Sequence, residues 1–167
     1  MTQETISFRQ GSLQDLAALK HLAVASYGQY RPELTEDNWQ QLHAALTSDS
    51  ISTLLHQAHT FVCCVNEKVV GMAFLLPSGH PTDIYPANWC QIRMVGVHPA
   101  HSGRGIGRTL VAQCIERART LNESTVALHT SEFMHVARNL YEKLGFTMVK
   151  EIPKRFGKRY WLYTLQV

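Results

Sequence analysis

The stretch "VGVHPAHSGRGIGRTLVAQC", Val95 to Cys114, decides how this sequence is read. It sets Gly103, Gly105 and Gly107 on alternate positions between an apolar run and a segment in which Ile106, Leu110, Val111, Cys114, Ile115, Ala118 and Leu121 recur with helical spacing. Glycine weakens strands and helix interiors, so such a cluster marks a special backbone path or the close approach of a ligand. A tight strand-to-helix turn would use glycine too. A helix that starts here, however, leaves its first N–H groups unsatisfied and carries partial positive charge. With no Cβ at 103, 105 and 107, the amides of Arg104 to Arg108 can close on an anion, for which a pyrophosphate is the natural guest. Arg104 and Arg108 would add charge-assisted contacts. The anion outweighs the bare turn.

Working outward, "WCQIRMVGV" before the loop reads as a strand in which Cys90, Ile92 and Met94 alternate with polar Gln91 and Arg93. Upstream of it, Ile6–Arg9 is a first strand. Ser12, with Asp15 three residues on, opens a helix in the manner of a capping box. Thr35 starts a second helix with Trp39, Leu42 and Leu46 on one side, and a short helical piece covers Ile51–Ala58. "TFVCCV" and "VVGMAFLLP" form a hairpin around "NEK", and Ser78 to Asn88 is a loop. Downstream, "TVALHT" is a strand and "EFMHVARNLYEKLG" a helix stopped by Gly145. "FTMVKEI" and "RYWLYTLQV" are closing strands. The order β-α-α-β-β-β-α-β-α-β-β gives a mixed α/β fold, and 167 residues without an internal linker make one domain, 1–167.

An apolar fraction of 45% with 17% charged residues is that of a folded globular chain. No apolar run approaches the roughly 18 residues that span a bilayer, so no membrane partner is expected. "MTQETISFRQG" lacks the basic start and apolar core of a secretory signal, which makes the cytoplasm the expected location. Cys63, Cys64, Cys90 and Cys114 form no CxxC pair and read as reduced packing residues, and the scattered histidines give no metal site. The net charge of +3 is mild. Its basic residues gather at Lys154 to Arg159 and around the glycines, patches of a size for a small phosphorylated or carboxylated ligand rather than for nucleic acid.

Two phosphate-binding loops fail on sequence. A G-x-x-x-x-G-K-[ST] loop would need a first glycine at Ser102 and a lysine at Arg108; a G-x-G-x-x-G fingerprint would need glycine at Arg108. What fits is [QR]-x-x-G-x-[GA], read as Ser102-Gly103-Arg104-Gly105-Ile106-Gly107, the pattern of the GCN5-related N-acetyltransferase (GNAT) family. "ARNLYEKLGF", Ala137 to Phe146, resembles that family's second signature, A-x-x-L-Y-x-x-x-G-F. The element order from Ile6 to Val167 is similar to its fold as well. Ser102 departs from the usual Gln or Arg.

The resemblance implies a central, mostly antiparallel sheet flanked by helices and splayed at the strands after Trp89 and Thr125. It implies acetyl-CoA as co-substrate and no metal. The pantetheine arm would pair with the main chain of Val95, Gly96 and Val97, continuing the sheet. The pyrophosphate would lie on Gly103, Arg104, Gly105, Ile106, Gly107 and Arg108, and Asn139 and Tyr141 would face the thioester. A phenol of pKa about 10 can protonate a departing thiolate, which casts Tyr141 as the catalytic acid. Family members often carry a glutamate base on the strand before the loop. Here Gln91 and Arg93 stand there, which leaves His129, Glu132, Glu33, Asp83 or a water chain as alternatives.

The acceptor would be held by Tyr30 and Glu33, by Asp83 and Tyr85 of the Ser78–Asn88 loop, and by His129, with Tyr27 and Trp89 as further walls and Lys158 or Arg159 for an acidic group. These point to acetyl transfer onto the primary amine of a small amino-acid-like molecule. Acetylation of a protein or peptide amine, and a non-catalytic acyl-CoA sensor, stand as alternatives. The resemblance also allows a homodimer.

Overall fold

The computed structural model describes residues 3–167. Strand β1 (Ile6–Gln10) leads through a 3-10 turn (Leu13–Asp15) into α1 (Leu16–Gly28). A second such turn (Arg31–Glu33), α2 (Glu36–Leu46) and α3 (Ser50–Gln57) follow. Then come β2 (His59–Val65), β3 (Lys68–Leu76), β4 (Cys90–Val97), α4 (Ile106–Thr120), β5 (Thr125–Ser131), α5 (His135–Lys143), β6 (Thr147–Arg155) and β7 (Lys158–Gln166).

They make one seven-stranded sheet in the order β1-β2-β3-β4-β5-β7-β6. Every neighbouring pair is antiparallel except β4 and β5. Helices cover both faces. Phe61, Cys63, Ala73 and Leu75 pack with Leu110, Cys114 and Ala118 of α4. The alternate residues Val62, Cys64, Met72 and Phe74 pack with Leu19, Leu22, Trp39, Leu42 and Ile51 of α1, α2 and α3. A sheet buried on both sides explains why β2 and β3 read as continuous apolar runs.

Three local expectations shift. The Ser12 signal caps a 3-10 turn before α1 begins, and the Asp15 carboxylate accepts from the Ser12 N–H at 2.8 Å. The helix expected from Glu132 begins at His135, because β5 runs on to Ser131 opposite Tyr160. The closing strands extend to a two-residue turn, Phe156–Gly157, with φ of 53° and 73°, a hairpin geometry suited to the twist of its flanks.

Arg9 donates to both carboxylate oxygens of Asp15, at 2.8 and 2.9 Å, and so ties β1 to the first turn. This guanidinium, followed by the Ser12 amide, outweighs burial and holds the Asp15 carboxyl below its usual 3.8. A depressed carboxyl stabilises the fold fully above its unfolded value, and the contribution is lost as pH falls through the lower folded value. Asp15→Ala is expected to cost about 2 kcal/mol at pH 7, since charged hydrogen bonds are worth roughly 1.5–3 kcal/mol. The gap from wild type should narrow in acid. Urea unfolding at pH 7 and below pH 3 checks it, and an equal gap at both would refute it.

Candidate functional site

β4 and β5 pair only at Cys90↔Val126 and Gln91↔Ala127. Beyond that seam they diverge, as the family resemblance implies. β4 is also bulged. Met72 and Phe74 of β3 face Gly96 and Arg93, so β4 spends an extra residue there, and Met94 sits at φ 53°. A bulge re-aims side chains. Met94, expected on the face of Cys90 and Ile92, packs instead with the α1–α2–α3 cluster.

A cavity of about 530 Å³ opens at the divergence. Arg93, Met94 and Val95 line it from β4, His129 and Thr130 from β5, and Tyr141 from α5. Tyr27 and Tyr30 line it from α1 and the following turn, and Arg155, Phe156 and Tyr160 from the last hairpin. The seam positions all of this: strands that separate leave room for side chains from both sheet faces.

Gly103 and Gly105 have φ of 76° and 77°, a region that side chains disfavour, and a Cβ at either would meet nothing within 4 Å. Their backbone path therefore faces open space. Gly107 differs: its φ is not positive, and a Cβ there would rest 3.7 Å from Val97 and Leu140. That contact places the start of α4 against the end of β4 and against α5. Among the described residues, the amides of Gly103 to Arg108 donate to no protein group. Arg108 is exposed and unpaired among the described residues, whereas Arg104 is engaged by Glu4 and, at 2.9 Å, by His101. The Ser102 hydroxyl donates to Pro99 O at 3.0 Å, a local tie that closes the preceding turn.

Tyr141 is buried, packs edge-on against Phe146, and finds no hydrogen-bond partner for its hydroxyl among the described residues. Burial first, then the neighbouring Tyr27 and Tyr30, push its phenol up, so the proton stays in place at neutral pH. Val95 lines the cavity, but its carbonyl already accepts from Tyr27 at 3.4 Å. Gly96 and Val97 are not among the lining residues, and Asn139 lies in a separate shallow depression with His135, Arg138 and Glu142.

The acceptor candidates divide. Tyr30 and His129 line the cavity. Tyr85, buried beneath the Ser78–Asn88 loop, reaches His129 with its hydroxyl 2.6 Å from Nδ1. Glu33 and Asp83 are exposed and lie outside the lining, and the Ser78–Asn88 loop contributes no lining residue, so it does not roof the cavity. Arg159 turns away to Glu151. No carboxylate lines the cavity among the described residues; Arg93 and Arg155 do. Sequence alone does not single out Arg155, because its signal, a cation beside the Phe156–Gly157 turn, is diluted within the Lys154–Arg159 run.

Arg155 Nη1 lies 2.8 Å from His129 Nε2. A guanidinium only donates, so Nε2 is the acceptor, and a neutral ring then carries its proton on Nδ1, toward the Tyr85 oxygen. Burial first, then Arg155 and Arg93, push His129 down to about 3. In this arrangement its only lone pair is occupied.

Comparison with known proteins agrees with this geometry. An L-methionine sulfoximine/L-methionine sulfone acetyltransferase of Salmonella typhimurium is 34% identical over 71 residues, 41% of this chain and 40% of that protein. An L-amino acid N-acyltransferase of Escherichia coli is 31% identical over 71 residues, with the same shares. These matches thus span about two-fifths of each relative's length. The fold is that of a Thermoplasma acidophilum N-acetyltransferase solved in complex with coenzyme A, with a TM-score of 0.75 and 17% identity over 98% of this chain and 99% of that one. The model of the acetyltransferase (GNAT) family matches residues 16–146, a span holding the divergent strands, the glycine turn and the Tyr141 helix, and the chain belongs to that family.

Proposed function

We propose that this protein moves an acetyl group from acetyl-CoA to the primary amine of a small amino-acid-like molecule, by direct transfer. The observation that carries the reading is convergence. The phenol of Tyr141 lines the cavity where β4 and β5 part; the unpartnered amides of Gly103 to Arg108 lie outside that lining, at the start of α4, which abuts the end of β4 at Val97 and α5 at Leu140. The positive-φ glycines leave clear the space that a pyrophosphate would fill, so the residues present fit the co-substrate. Bound acetyl-CoA supplies the thioester whose acyl carbon is transferred.

The amides of Gly103 to Arg108, with Arg108, hold the diphosphate, and the β4 main chain around Val95 to Val97 guides the arm toward Tyr141. Tyr141 gives its proton to the sulfur as the amine takes the acyl carbon. All four cysteines are buried and none lines the cavity, so no thiol is placed to carry the acyl group between the two substrates. The amino-acid acceptor draws support from the names of both relatives and from the cationic lining.

A thiol-release assay tests this, with acetyl-CoA and separate pools of amino acids, polyamines and peptides. Release that depends on the amino-acid pool is the expected result. Release only with peptides would move the acceptor to proteins, and binding without release from any pool would leave a sensor.

A further inference from the structure

Arg9, Arg31, Arg104, Arg119 and Arg159 each meet a carboxylate. Of the arginines that meet no carboxylate among the described residues, Arg93 and Arg155 are the two that line the cavity. The first leans on the Gln91 amide oxygen at 3.3 Å and the second on the His129 ring. Both line the cavity, and both act on His129 and on Tyr85. Two uncompensated guanidiniums in a cavity without a carboxylate favour an anionic guest and disfavour an ammonium.

The family reading leaves a proton unassigned. At neutral pH an amine arrives mostly as ammonium and must be deprotonated before attack. The ring nitrogen in the cavity that could take the proton is His129 Nε2, and Arg155 holds it.

Resting on the acetyl-transfer reading, we propose that an anionic group of the acceptor, a carboxylate, is received by Arg93 and Arg155, and that in drawing Arg155 off His129 Nε2 it frees this nitrogen to deprotonate the amine. The acidic group is then a condition of turnover as well as of binding.

The step balances. One ammonium N–H breaks and an Nε2–H forms. The nitrogen pair left behind makes the C–N bond as the C–S pair leaves with sulfur. Sulfur takes the Tyr141 proton, the remaining excess amine proton restores Tyr141, and His129 passes its own proton to water. His129 is prepared for this. Its Nδ1–H already points to the Tyr85 oxygen, and that phenol is kept protonated by burial, so the imidazolium would be held at both ends.

The charged and titratable groups around the ring are Tyr85 from the loop, Arg93 on β4, Arg155 on β6 and Tyr160 on β7, whose ring lies 6.0 Å away. Tyr160 is pushed up to about 12, chiefly by burial, and stays neutral. Neutralising the two arginines therefore raises His129 from its depressed value, in the direction a base requires.

The test uses the full chain, acetyl-CoA and matched acceptors: L-amino acids, their carboxamides and the corresponding alkylamines. At pH 6.5 the amino acid should exceed its carboxamide in kcat by about 10²-fold, the size of a general-base contribution. The ratio should shrink as pH rises and more of each amine is already free. His129→Gln should lower kcat on the amino acid by about 10²-fold at pH 6.5 with little change in KM. Arg155→Gln should raise KM for the amino acid and raise kcat for the carboxamide, because the ring is no longer held; a purely structural role would lower both. Equal kcat for amino acid and carboxamide at pH 6.5, or a His129→Gln enzyme with the wild-type pH profile, overturns the proposal while leaving acetyl transfer intact. No thiol release from any amine sinks both.

Discussion

Tyr141→Phe is expected to lower turnover about 10²-fold while leaving acetyl-CoA binding nearly unchanged. The ring that packs on Phe146 survives the substitution, so the fold and the wall of the cavity are kept. What disappears is a hydroxyl that no described residue uses and that burial keeps protonated. Its value lies in the moment when charge develops on sulfur, which ground-state binding does not feel. The loss should be smaller for acyl donors whose thiols are more acidic, since a better leaving group needs less protonation. Steady-state kinetics with such a donor series decides the matter. A raised KM for the donor with turnover intact would make Tyr141 a wall and send the search for the acid to water.

Gly105→Val should abolish the rise in thermal stability that acetyl-CoA gives the wild type. By linkage, a ligand at a hundred times its Kd adds about 2.7 kcal/mol. For a chain of this size that is roughly 5 to 10 °C in Tm. The valine acts twice. Its backbone would be held at φ 77°, which costs about 1–2 kcal/mol and lowers Tm in the absence of ligand. Its side chain would also occupy the space from which an anion reaches the amides. The readout is therefore the ligand-induced shift and not Tm itself. An undiminished shift in Gly105→Val would mean that the diphosphate is held elsewhere.

The parts of the site that the sequence disclosed are those written in short range. The glycine turn, the start of α4 and the helix carrying Tyr141 each lie within a few residues of their own signal. So does the stop at Gly145, which takes φ 101°. The divergence after Gln91 and Ala127 followed from the family resemblance rather than from any residue of either strand. The bulge that turns Met94 over left no trace in the alternation, because one inserted residue inverts the faces of everything after it. The acceptor end was the least legible. Glu33 and Asp83 are carboxylates in the right segments, but segment position does not fix which way a loop side chain points. The cluster proposed to act there joins a loop (Tyr85), β4 (Arg93), β5 (His129) and a hairpin (Arg155), and the sheet order brings them together.

Strand edges in this molecule are guarded by two different means. β6, at one outer margin of the sheet, carries Lys150, Pro153 and Lys154 and breaks register twice along its length. Charge, proline and irregularity are what discourage a foreign strand from pairing. The margins of β4 and β5 beyond the seam have no such protection, and at Ile92, Val95 and Leu128 they are apolar. They are safe because they face each other inside the fold, beneath side chains of α1 and α5. A whole strand of another copy, with side chains on both sides, needs more room than a narrow extended guest. An apolar strand edge kept inside the fold in this way stays off the outer surface, where it would invite aggregation.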